Sequence, residues 1–207
     1  GRTGAVPAVQ ARLELAHTVF GDGRILVEMA FKPSPLSNIK GPLREGVALT
    51  LPGGFEKIQY FGRGPHATYI DRKFERIGRY ETTVDKMWVD YSRPQENGNR
   101  TDVRYAAFTD NAGNGLVFLG QPDFNFSARH YSREAMMQKN YSFQMPRSEQ
   151  IRINIDHAQS GLGGVHSWGT TPLKKYQLAN KRFVHRFMMM PVEQQNWFNE
   201  TTTESER

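Results

Sequence analysis

An all-β antiparallel sandwich is the fold class this sequence predicts, on three observations. Apolar residues recur with a period of two, turn-forming residues punctuate them roughly every 8–15 positions, and helical signal is almost absent. The first hairpin is set by Asp22-Gly23, where glycine supplies the positive φ of a tight turn between 19–20 and 24–29. Within the second of these, Ile25, Val27 and Met29 alternate with Arg24, Leu26 and Glu28. Further strands are expected over 55–61, 78–84, 103–108, 116–119, 124–129 and 183–190. Tyr141, Phe143 and Met145 also alternate, up to Pro146, and read as a strand. Ile151, Ile153 and Ile155 alternate with Arg152 and Asn154, one apolar and one polar face of a half-buried strand. Pro52-Gly53-Gly54, Asn97-Gly98 and the run Asn111–Gly115 supply turns. A single short helix is expected over 132–139, with Ser132 as its cap and Glu134 in its first turn.

No repeat or linker divides the 207 residues. Residues 1–10 read as a linker or remnant, 11–192 as the sandwich domain and 193–207 as a polar tail. The absence of cysteine excludes disulfides, thiolate catalysis and cysteine-based zinc sites. A net charge of +6 raises nucleic-acid binding, but the basic residues are interleaved with acids, as in Asp71-Arg72-Lys73-Phe74-Glu75-Arg76. That pattern is a solvated mixed surface, so no nucleic-acid partner is expected. No apolar run approaches a membrane span, so no membrane partner is expected either.

Cofactor motifs are absent. Gly161-Leu162-Gly163-Gly164 lacks the following helix that a phosphate loop needs. The six histidines show no metal-ligand spacing, and no cofactor or metal is expected in this chain. Three stretches nevertheless couple permissive Gly or Pro with Arg, Asp, Asn or aromatics: Tyr60-Phe61-Gly62-Arg63-Gly64-Pro65-His66 with Tyr69 and Asp71-Arg72-Lys73; Arg93–Asp102, through Glu96, Asn97, Asn99 and Arg100; and Gly161–Gly169, through His166 and Trp168. Arg–Asp pairs can lock such loops together. From the residues alone, Trp168 is either a core aromatic anchoring its loop or a flat ring for the apolar face of a sugar.

These stretches, with Phe124–Tyr131 and Asn154-Ile155-Asp156 between them, resemble the C-terminal "small chain" β-sandwich domain of glycoside hydrolase family 2 β-galactosidases. The resemblance runs from Leu13 to Pro191 and keeps the family's motif order. It implies a galactose-mutarotase-like supersandwich and a parent enzyme hydrolysing terminal non-reducing β-D-galactosides. The two catalytic glutamates would lie in a (β/α)₈ barrel absent from this chain, so the chain alone would carry no catalytic residue. By motif position, Trp168 would contact substrate, with His166, Arg100 and Asn97 as further candidates. The family's magnesium and sodium would belong chiefly to the barrel. The implied partners are the remaining domains of the same polypeptide and the galactoside, in an enzyme that can be homo-oligomeric, cytoplasmic or periplasmic. This chain departs from the family at Val165-His166, where an acidic pair is usual, and at Ala67-Thr68. Two other readings compete: a stand-alone carbohydrate-binding module, and an aldose epimerase using His66 or His130 with Glu96 or Asp156.

Overall fold

The computed structural model describes residues 11–34, 41–163 and 169–193. Nine antiparallel strands carry the fold: β1 (Ala11–Val19), β2 (Ile25–Pro33), β3 (Arg44–Leu51), β4 (Lys57–Gly64), β5 (Arg76–Thr83), β6 (Arg100–Thr109), β7 (Gly115–Arg129), β8 (Ile151–Gln159) and β9 (Phe183–Val192). The main order is β1-β2-β9-β7-β6-β4-β5, and β8 leaves it by pairing β7 on one side and β3 on the other. The result is an all-β, sandwich-like fold that does not close into a barrel.

β7 explains how one sheet becomes two layers. Residues 115–120 of β7 pair with β9, whereas residues 125–129 pair with β8. Between them Gln121, Pro122 and Asp123 are exposed and make no ladder pairs, and the β6 register shifts at the same level. Proline brings no N–H to a ladder, so the strand bulges there and changes direction. The two strands expected over 116–119 and 124–129 are therefore two arms of one strand.

The layers meet in a single core. Val47↔Ile155↔Phe126 and Leu49↔Ile153↔Ala128 form rows across β3, β8 and β7. They pack with Ile58 and Tyr60 of β4, Phe108 of β6 and Phe187 of β9 in the same cluster. Phe126 stands at its centre, its ring 5.4 Å from Tyr60 and 6.0 Å from Phe108 in edge-on geometry.

Two short helices flank the sheets, α1 (Val84–Met87) and α2 (Arg133–Gln138). α2 is capped as the sequence predicts, Ser132 Oγ accepting from Ala135 N at 3.1 Å. The strand expected through Tyr141, Phe143 and Met145 does not form. Ser142–Gln144 is a 3₁₀ turn in which Gln144 Oε1 accepts from Tyr141 N, and the Tyr141 and Phe143 rings stack 5.5 Å apart on the outside. Alternation makes a strand only where a neighbouring strand takes up the backbone groups, and here a local turn takes them up instead.

Candidate functional site

The three sequence stretches converge. Asp102, in the left-handed region at φ 55°, accepts from Arg63 Nε and, at 2.7 Å, from Lys73 Nζ. Those two ion pairs, with burial opposing them, hold the Asp102 carboxyl below the usual carboxylate range. Thr68 and Asn99 exchange hydrogen bonds of 2.8 and 2.9 Å, and Thr68 Oγ1 accepts from Thr101 N at 2.9 Å. The first and second stretches are thereby one unit. Asp71 Oδ2 accepts from Gly163 N at 2.8 Å, which ties the third stretch to the first. Gly161 must be glycine for this approach, because a Cβ there would lie 2.7 Å from the Asp71 carboxyl.

A groove of about 880 Å³ opens beside this junction. Its floor is the face of β3, β8 and β7 opposite the core. The register sets that face in rows, Gly46↔Asp156↔Asn125, Ala48↔Asn154↔Ser127 and Thr50↔Arg152↔Arg129, of which Ala48, Asn154, Thr50, Arg152 and Arg129 line the groove. One wall includes Arg93–Glu96, the other runs from Tyr131 through α2 to Asn140, and Gly161 and Leu162 form part of the rim. The polar face expected of 151–155 is thus present, but it faces a groove rather than open solvent.

A charge network is built into that floor. Arg44 Nη2 donates to Glu96 Oε1 at 3.0 Å and to Gln159 Oε1 at 2.8 Å. Arg44 Nε lies 3.1 Å from Asp156 Oδ2, out of line for a hydrogen bond, and Arg129 Nη1 lies 3.5 Å from Glu96 Oε2. With its amide turned so that oxygen faces the donors, Asn154 accepts from Arg44 Nη1 at 2.8 Å, Arg129 Nη2 at 2.9 Å and Ser127 Oγ at 3.0 Å. Burial pushes the Asp156 carboxyl up to about 7, with Glu96 adding to the effect and Arg44 and Arg129 opposing it. Burial likewise lowers Arg129 and raises the Tyr69 phenol, whose hydroxyl is buried without a hydrogen-bond partner. Glu96 therefore sits between two guanidinium groups. This set can both donate to and accept from a hydroxyl-rich ligand.

The candidate residues fall in different places. Asn97 is buried, its oxygen accepting from Val89 N and its Nδ2 donating to Gln95 O, both at 3.0 Å. Arg100 is buried too, donating to the Tyr60 hydroxyl at 3.1 Å and to the carbonyls of Gly98 and Asn99. Both hold the 93–102 wall in shape. His166 and Trp168 lie outside the described residues, in the segment that Gly163 leads into. The epimerase pairs are not brought together. His66 is exposed and faces Glu75 at 2.9 Å, while His130 is buried between Ser148 O at 2.9 Å and Glu56 Oε2 at 3.0 Å. Arg44, with Gly46 a partial match to a family Pro-Arg-Ile-Gly, and Arg129, inside the family-like stretch Phe124–Tyr131, carry resemblance in the sequence but no site role there. An arginine at the end of each strand, opposite a strand bearing Asn154 and Asp156, is the available signal. Among the described residues, no group of three or more His, Asp or Glu lies close enough to hold a metal ion. No described helix is long and apolar enough to cross a membrane.

Comparison with known proteins bears on the family of the chain. The family model described as beta galactosidase small chain matches residues 2–189. The chain is 29% identical over 180 residues to a beta-galactosidase of Priestia megaterium, and 30% identical over 183 residues to that of Vibrio cholerae. These alignments cover 86% and 88% of this chain but 17% of each relative. Beta-galactosidase BgaC of Bifidobacterium adolescentis is 32% identical over 136 residues, 64% of this chain and 13% of that protein. The chain spans about 17% of the length of the first two relatives, the size of one domain. A model match over nearly the whole chain and three converging motifs lead to one conclusion: this chain belongs to the beta-galactosidase small chain family.

Proposed function

We propose that this chain is the small-chain domain of a family 2 β-galactosidase, a hydrolase of terminal β-D-galactosides, and that it closes one wall of the sugar pocket. The observation that carries the reading is the hydrogen-bonded junction of the three stretches, of which the second (Arg93–Glu96) and the third (Gly161 and Leu162) line one groove. In this reading the remaining domains of the polypeptide supply the two catalytic glutamates, and this domain supplies none. Trp168 covers the apolar C–H face of the sugar, which a flat ring does at low entropic cost. Asn97 and Arg100 act at one remove, holding the wall that Glu96 presents to the groove. His166 stands where the family resemblance implies an acid, so hydroxyl recognition there changes from accepting to donating or accepting.

Kinetics of the full-length enzyme test it. Trp168→Ala removes ground-state binding, so KM should rise about tenfold or more, equivalent to about 1.4 kcal/mol, with a smaller change in kcat. Trp168→Phe should recover part of the loss. An unchanged KM for every galactoside tried ends the reading.

A further inference from the structure

Among the described residues, nothing covers an apolar stripe on β1. Leu13, Leu15 and Val19 alternate with Arg12, Glu14, Ala16 and Thr18, so the strand has the two-faced pattern of a half-buried element. Yet Leu13 is 59% exposed, Leu15 48% and Val19 70%, and Phe20 just beyond is 37% exposed. Their register shows which face this is. Leu15 pairs with Met29, His17 with Val27 and Val19 with Ile25; Met29 and Val27 are buried, and Ile25 packs against the core. One strand further in, Phe187 lies beside Val27 in that same core. The stripe is therefore the inner, core-lining face of the sheet, prolonged by one strand past the point where the second layer stops. The other face of β1 carries the Arg12–Glu14 ion pair and Thr18 and needs no cover.

We infer that this stripe is covered by a segment of the parent polypeptide outside this chain, which packs on Leu13, Leu15, Val19 and Phe20 as the missing part of the second layer. The inference rests on the reading of the chain as one domain of a longer β-galactosidase, since about five-sixths of each relative's length lies outside the match. The occupant is a facing layer rather than only an added edge strand, because apolar side chains are concentrated on one face. It presents apolar side chains toward the stripe, with room for a polar group opposite His17.

The test compares amide exchange in β1 between the full-length protein and this chain alone, each as parent and as Leu15→Glu. Exchange at residues 13–19 should be about 100-fold slower in the full-length parent than in the chain alone. Leu15→Glu should abolish that protection in the full-length protein and leave the global stability of the chain alone unchanged. Equal, fast exchange in both parents overturns the inference. Slow exchange in the chain alone also overturns it, and sedimentation then assigns the cover: a dimer lost in Leu15→Glu means a second copy, a monomer means the chain's own residues. Hydrolysis of nitrophenyl β-galactoside by the full-length protein is measured alongside. Its absence would count against the β-galactosidase reading without touching the exchange result.

Discussion

Glu96 decides whether the groove floor is a stable arrangement of charges. It faces Arg44 at 3.0 Å and Arg129 at 3.5 Å, while burial leaves Asp156 only weakly acidic at about 7. Glu96→Gln keeps the shape and removes the carboxylate that faces both guanidinium groups. Two largely desolvated guanidinium groups then face each other, and stability at pH 7 should fall by about 1–3 kcal/mol in urea denaturation. Because the Glu96 side chain is 27% exposed, the loss should stay below the figure for a fully buried pair. No measurable loss would show that water already screens the network. Asp156 and His185 link folding to pH with opposite signs. Asp156 rises to about 7 from an unfolded value near ~4, so the folded chain holds its proton more tightly and stability falls as pH climbs between them. His185 is buried near His157, and burial first, then that neighbour, lowers it to about 4. The unfolded chain then binds the extra proton, so stability rises from about pH 4 to its ordinary value of 6.5. The two slopes oppose each other across that window. Asp156→Asn deletes the falling one, so the variant should gain stability relative to the parent as pH rises from about 4.5 to about 6.5. Urea midpoints at three pH values check this, and a constant difference between the two proteins would refute it.

At the scale of elements, β3 and β8 owe their close fit to Gly46. The register shifts between Glu45 and Gly46, and a Cβ at Gly46 would lie 2.5 Å from Asp156 Cα and 2.6 Å from the Ile155 carbonyl oxygen. Those are backbone atoms that cannot swing aside. Gly46→Ala should force β3 away from β8, costing about 1–3 kcal/mol and speeding amide exchange in β3 before β4. Unchanged exchange in β3 would mean that the bulge relaxes freely. Strands were legible where large β-favouring side chains alternated without interruption, as in 151–155. β3 escaped because Gly46 and Ala48 leave only Val47, Leu49 and Leu51 to mark the period. β1 was reduced to 19–20 because Ala16 and His17 break its pattern, although Leu13 and Leu15 obey it. The bulge in β7 is visible as Pro122, but only the pairing of its two arms with β9 and β8 shows that one strand serves both layers. The site divides in the same way. Its motifs could be read in the sequence, whereas the meeting of Arg44, Glu96, Arg129 and Asn154 depends on the register of three strands distant in the chain.

For the whole molecule, the shared strand makes a statement about cooperativity. The β3–β8 arm and the β4–β6 arm share one core cluster, in which Phe126 of β7 touches Tyr60 of β4 and Phe108 of β6 while lying in register with Ile155 of β8. If the layers were independent units, exchange in β8 and in β4 would report different opening energies. If Phe126 joins them, its loss lowers both together. Phe126→Ala removes a wholly buried ring, and the expected cost is about 3–5 kcal/mol. Native-state exchange should then show the slowest amides of β8 and β4 losing the same free energy, on one denaturant slope. Loss confined to β8, with β4 holding its parental protection, would divide the sandwich at the β7 bulge. The groove floor would then be free to open while the β4–β6 layer stayed folded. The opposite outcome fixes the position of the groove to the layer that carries Arg63 and Asp102, and so to the hydrogen bond between Asp71 and Gly163.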